Sequence, residues 1–344
     1  MQKEPRDGPA APRHPEDDRF REAGVDGRVP SAVPGPGARR PAPAAEMQRG
    51  LWPVDWLMLS YLLAISLVIT WFIQKFDNAG MLLLAHGAAI LLIAAYAFLP
   101  RLPGAFFFRH VYPIPYVFAC YRVMSVIIRS IREARSDAML AAWDFALWHA
   151  HPTVWLERVQ FPLVVELLQI IYALFVPAIL AVALILWIRQ REDFRGYAFL
   201  LTLGFLASYV LYFVVPARGP RIFLDGLQTK PLVGLWLFGP LRSLLDVMES
   251  SHYDCFPSGH TEMTIIAWWA TRRISGGLST LYLVYTALIL LATVYLRYHY
   301  TVDLIAGILV AALVLYAAPH FEKELLRRER QLPDDPTRDF ARSK

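Results

Sequence analysis

LSTLYLVYTALILLATVYLRYHYTVDLIAGILVAALVLYAA, residues 278–318, is the stretch on which the fold turns. Leu278–Leu296 and Leu304–Ala318 carry no charged side chain, and the short segment between them, RYHYTVD, holds Arg297, His299 and Asp303. A helix in a soluble core keeps a polar face, whereas these runs are apolar all round. They read as bilayer spans, which need roughly 18–20 apolar residues. Core helices of a large soluble α protein are the alternative, and the missing polar face counts against it.

Working outward, Trp56–Ile73, Ala79–Leu99, Leu167–Ile188 and Gly196–Val215 are also free of charge. Six spans are therefore the minimum. The 344-residue chain is 56% hydrophobic and only 18% charged, poor in charge for a soluble protein. A helix beginning near Ser258 reads as short or tilted, because Glu262 interrupts it and Arg272 ends it early. Residues 105–131 carry Pro113, Pro115 and Arg122, yet parity asks for one crossing there, which gives seven spans. The expected fold is an all-α, polytopic membrane helical bundle with 6–7 transmembrane helices.

Orientation follows from basic residues in short loops. Arg189–Arg195 (RQREDFR), Arg272–Arg273 and the tail with Lys323, Arg327, Arg328 and Arg330 are expected on the cytoplasmic side. Pro216–Arg221, the turn at Ser258 and Arg297–Asp303 then share the opposite face. Asp137–Trp148 reads as an amphipathic helix near that outer surface.

Residues 1–50, rich in Pro, Gly, Ala and Arg, read as a disordered tail without a signal-peptide core, and residues 1–46 as dispensable. Residues 51–320 are expected to form the membrane-embedded domain, with catalytic motifs within 216–303, and 321–344 a basic cytoplasmic tail. The net charge of +5 does not imply nucleic acid. Cys120 and Cys255 offer neither metal spacing nor a disulfide framework and read as small buried residues.

Three segments carry chemistry. In Cys255-Phe256-Pro257-Ser258-Gly259-His260, proline and then Ser-Gly suit a helix start, whose free N–H groups and positive dipole end attract an anion such as phosphate. An ordinary capped helix with a histidine facing the headgroups is the plain alternative. In Arg297–Asp303, His299 and Asp303 stand four apart and share a helical face, so the carboxylate can hold one imidazole nitrogen while the other meets substrate. A structural Asp–His pair is the plain alternative here. Pro216–Arg221 sets Arg218 and Arg221 in a Pro/Gly-stiffened turn suited to phosphate oxygens, or to lipid headgroups.

Phosphoryl transfer needs positive charge on the equatorial oxygens, an in-line nucleophile and an acid at the leaving oxygen. Arg218, Arg221 and Arg297, then His299, then His260 supply that list, and no metal is required. The three segments resemble the signature motifs of the type 2 phosphatidic acid phosphatase superfamily over roughly residues 200–310. That resemblance implies a six-helix membrane core and a metal-independent phosphohistidine mechanism. It casts His299 as nucleophile, Asp303 as its orienter and His260 as acid, with Ser258 and Gly259 helping to hold phosphate. No cofactor is expected.

Two positions depart from the family pattern. Leu211 or Val214 stands where the first motif usually has lysine, and Thr293 where the third usually has arginine, with Arg297 nearer the histidine. ATVYLRYHYTVDLIAG (residues 292–307), with DAMLAAWDFALWHAHPTVW (137–155), is more similar to the inositol phosphorylceramide synthase branch, although PSGH matches the phosphatases and fungal synthases resemble PSLH. The implied activity is inositolphosphotransferase-like, with plain lipid phosphate or pyrophosphate hydrolysis as the alternative and a transporter or scaffold as the non-enzymatic one. Expected partners are a lipid phosphate ester, an alcohol or inositol-lipid acceptor, and membrane lipids. The expected location is the cell membrane, multi-pass, with the site on the non-cytoplasmic side. Asp137 and Asp144, seven apart, present one face, either towards an acceptor hydroxyl or to solvent. Leu232–Leu241 reads as a membrane-lying lid.

Overall fold

The computed structural model describes residues 49–132, 136–189, 191–248 and 253–331, without the side chains of 191, 192 and 322–331. Fourteen α-helices follow in order: α1 (Pro53–Trp71), α2 (Ala79–Phe98), α3 (Ala105–Val111), α4 (Pro113–Ile131), α5 (Asp137–Trp148), α6 (Pro152–Trp155), α7 (Pro162–Ala173), α8 (Phe175–Arg189), α9 (Arg191–Val214), α10 (Pro220–Phe223), α11 (Phe238–Met248), α12 (Gly259–Thr271), α13 (Gly276–Tyr295) and α14 (Thr301–Gln331). No β-strand forms among the described residues, so the all-α expectation holds. The tail at 1–48 and the end of the chain beyond 331 lie outside the described residues. Helix α14 runs on to Gln331, through the start of the segment expected to be a separate tail.

Among the described residues, six helices are long and apolar enough to cross a membrane: α1, α2, α4, the 193–214 part of α9, α13 and the 301–321 part of α14. The stretch 105–131 does yield one of them, since Pro113 starts α4 at a position whose N–H needs no partner. Leu167–Ile188 is not one straight span. It lies across α7 and α8, which meet at Leu174 with a bend of 43°. Pro177 accounts for the break: it has no N–H for the Ala173 carbonyl, and its ring clashes there. Counted as one span, the bent pair makes seven.

Helix α9 is central, with 56% of its most apolar window buried against 17% for α2. One face packs with α1 and α4 through Met58, Ile127, Leu206 and Tyr209. Another packs with α8, α12 and α14 through Leu200, Met263, Ile266 and Val314. Helix α2 instead shows Leu84 and Leu91 outward, as a lipid-facing helix does. Glu262 does not interrupt α12. It is fully buried and accepts a hydrogen bond from Ser208 on α9, with Gly204 leaving it room.

Candidate active site

Three backbone hydrogen bonds tie the three motif segments pairwise. Arg221 N–H donates to the Arg297 carbonyl at 3.0 Å, Cys255 N–H to Ala217 at 3.3 Å, and Ser258 N–H to Asp303 at 3.0 Å. Segments up to about eighty positions apart in sequence are thus held side by side. Ser258 caps α12 as expected, its hydroxyl accepting the Thr261 N–H at 3.3 Å. Gly219 has φ +90° and sits where a Cβ would come within 2.8 Å of the Tyr298 carbonyl, so a side chain is excluded twice over.

Helix α13 ends in a Schellman turn that aims His299. Tyr298 N–H returns to the Thr293 carbonyl at 2.8 Å and Arg297 N–H to Val294 at 3.0 Å, with Arg297 in the left-handed region at φ 67°. A side chain there costs about 1–2 kcal/mol. Three hydrogen bonds from its guanidinium hold it: to Glu157 at 2.9 Å, Gln228 at 3.0 Å and the Lys230 carbonyl at 2.6 Å.

The two histidines meet. His299 Nε2 lies 3.5 Å from His260 Nδ1. On its other side, His299 Nδ1 is 2.8 Å from the Cys255 carbonyl oxygen and 3.4 Å from Asp303 Oδ2. A carbonyl only accepts, so Nδ1 carries a hydrogen, and in the neutral ring it is Nε2, beside His260, that keeps the lone pair. Asp303 shares the expected face, yet its carboxylate also accepts Tyr300 N–H at 2.8 Å and the Cys255 thiol at 2.9 Å. Burial and then the Asp303 charge push the Cys255 thiol well up from its ordinary value.

His260 opens α12 between two aromatic rings, Tyr172 with centroids 4.4 Å apart and Phe175 at 4.2 Å. Tyr172 in turn stacks on Tyr298 at 4.1 Å. The rings flank the α7–α8 break, so the kink places aromatic residues on the imidazole. Burial, and secondly the neighbouring His299, hold His260 well below the usual histidine value.

Two of the three arginines are already held by carboxylates. Arg297 is buried, its guanidinium paired with Glu157. Burial lowers it from its ordinary value while Glu157 raises it. Arg221 forms a two-pronged pair with Asp246 on α11, at 2.7 and 3.1 Å. Half-buried Arg218 is left with its guanidinium making no hydrogen bond or ion pair among the described residues. Gly259 packs its backbone against the Tyr212 hydroxyl, which a Cβ would meet at 2.6 Å.

Asp137 and Asp144 face neither an acceptor nor solvent. Both are buried, which corrects both sequence readings of that face. Asp137 accepts the N–H groups of Arg218 and Gly219 at 2.8–3.0 Å and so shapes the arginine turn. Asp144 accepts from Thr301 and Val302 and caps α14. Helix α5 is therefore inside out, with Trp143, Phe145 and Trp148 exposed.

Sequence reasoning passed over Glu157, Glu166, Tyr172 and Phe175. The signal available was the carboxylates: Glu157 and Glu166 are lone acids near apolar runs, and such groups need partners. Glu166 accepts four backbone N–H groups, from Leu235, Trp236, Leu237 and Phe238, and so pins the segment expected to be a lid.

A family model described as the PAP2 superfamily matches residues 138–317. A PA-phosphatase related-family protein of Dictyostelium discoideum is 30% identical over 122 residues, a match covering 32% of this chain and 22% of that protein. No solved structure matches. The family match takes in α5 and every motif segment, while α1–α4 precede it.

Proposed function

The chain belongs to the PAP2 superfamily, and from that premise we propose that it transfers a phosphoryl-bearing group from a lipid phosphate ester through a phosphohistidine on His299. One observation carries the reading: the Cys255 carbonyl fixes the His299 tautomer, leaving the Nε2 lone pair beside His260. In the first step Nε2 attacks phosphorus as the bond to the leaving oxygen breaks, and His260 gives that oxygen a proton. In the second, His260 takes a proton from the incoming hydroxyl as it attacks phosphorus and releases Nε2. Asp303 holds the ring, and Arg218, whose guanidinium is not committed to another side chain, is available for the equatorial oxygens. No step needs a metal.

At 3.5 Å the two imidazole nitrogens leave no room for a phosphoryl group in line between them. A nucleophile stands about 3–3.5 Å from phosphorus before attack. Substrate entry must therefore part the rings. The anion's charge supplies a reason, since it favours a protonated His260 that burial otherwise disfavours.

Transfer to an alcohol, as in inositolphosphotransferases, is the favoured second half. Its support is the apolar surround of His260: Tyr172 and Phe175 restrict water and suit a lipid-borne hydroxyl. Simple hydrolysis is the alternative. The basic loops at the other helix ends support a site on the non-cytoplasmic face of the cell membrane. Purified protein given lipid phosphates, lipid pyrophosphates and phosphatidylinositol, with and without alcohol acceptors, decides between them. A new phosphate ester of the acceptor means transfer, and free phosphate or, from phosphatidylinositol, inositol phosphate means hydrolysis; none of these products from any substrate would sink the proposal.

A further inference from the structure

We infer that Cys255, His299 and Asp303 form an inhibitory site for a soft divalent cation of the zinc class. Sγ, Nδ1 and Oδ2 are separated by 3.7 Å (Cys255 to His299), 3.4 Å (His299 to Asp303) and 2.9 Å (Cys255 to Asp303). A point equidistant from the three lies roughly 2 Å from each, the length of a zinc bond to nitrogen or oxygen and a little short of one to sulfur. Such an ion needs no cavity of its own, because it takes the place of the thiol proton. Only a few tenths of an ångström of movement by Cys255 completes the fit.

A second observation points the same way. Asp303 Oδ1 is buried without a hydrogen-bond partner, so the carboxylate has coordinating capacity to spare. Charge also closes: a thiolate and a carboxylate neutralise a dication, which a buried site requires. Thiolate and imidazole select zinc, cadmium or cobalt over magnesium or calcium.

Binding displaces one proton from the Cys255 sulfur to solvent and moves the imidazole hydrogen of His299 from Nδ1 to Nε2. The ion occupies Nδ1 in place of the bond to the Cys255 carbonyl. Nε2, now bearing hydrogen, has no lone pair for phosphorus. This inhibition rests on the phosphohistidine reading, whereas occupancy of the site does not.

Titrating the purified full chain with Co2+ tests occupancy. A thiolate-to-cobalt charge-transfer band saturating at one ion per chain is expected, retained in Cys120→Ser and lost in Cys255→Ser. Asp303→Asn, which keeps both cysteines, should weaken Co2+ binding at least about tenfold. In parallel, the Zn2+ concentration for half-inhibition should rise by a similar factor in Cys255→Ser, each protein being referred to its own chelator-treated rate. No band in the wild type, or an unchanged band in Cys255→Ser, overturns the site. A metal-loaded protein that turns over at full rate leaves the site standing and overturns the phosphohistidine reading.

Discussion

The guanidinium of Arg297 lies 2.9 Å from the carboxylate of Glu157, two side chains 140 positions apart that are both nearly buried. This pair makes Arg297 a structural tie between the α13 turn and the segment before α7. The sequence alone cast Arg297 as one of the arginines that hold phosphate. The geometry revises that expectation.

Arg297→Ala and Glu157→Ala should each destabilise the protein by about 3–5 kcal/mol, since each leaves the other charge buried without its partner. The double variant should lose much less than the two losses added together. Thermal unfolding in detergent, run as a double-mutant cycle, measures this. Additivity to within about 0.5 kcal/mol would mean that the pair is not coupled.

His299→Ala should form no covalent phosphoenzyme with any substrate. His260→Ala should slow turnover of a lipid phosphate by about 100- to 10,000-fold. With an aryl phosphate, whose leaving group needs no proton, the His260 variant should still be phosphorylated and then stall. Radiolabelled phosphate that is acid-labile and base-stable identifies the adduct. An equal adduct in the His299 variant places the nucleophile elsewhere.

The depressed His260 also gives a pH signature. Its folded value lies below its ordinary one, so the unfolded chain protonates first and the free protein loses stability as the pH falls through the usual histidine range. A bound phosphate mimic reverses the preference. Vanadate should therefore bind more tightly as the pH falls and take up a proton in doing so. A His260→Gln protein with the same pH dependence would assign that proton to another group.

Glu166→Ala should free the four N–H groups of 235–238 while leaving α7 helical. Hydrogen exchange at those amides should quicken by at least about tenfold, the equivalent of 1.4 kcal/mol. Glu166→Gln, keeping one acceptor oxygen, should fall between. Unchanged exchange in the alanine variant would show that the segment is held by its own apolar contacts.

Much of the site was legible beforehand because its residues cluster where apolar runs stop. His260 and His299 each stand at a helix end beside turn residues, and Asp303 follows His299 at helical spacing. What the sequence left open were pairings across the chain. Asp137 and Asp144 share a helical face by period, but the period does not say what that face meets. It meets the backbone of the arginine turn and of α14. Cys255 looked like filler, yet its carbonyl is the closer partner of His299.

By itself the sequence determined that helices form, which runs are apolar enough to cross a membrane, and which ionisable residues stand where those runs stop. Those properties depend on hydropathy and spacing within a few turns of chain. Only the tertiary structure decided that Arg221 and Arg297 answer Asp246 and Glu157, that Pro177 sets two rings against His260, and which nitrogen of His299 is left bare. Each depends on where a side chain points once distant segments have closed, and a local pattern does not encode that direction.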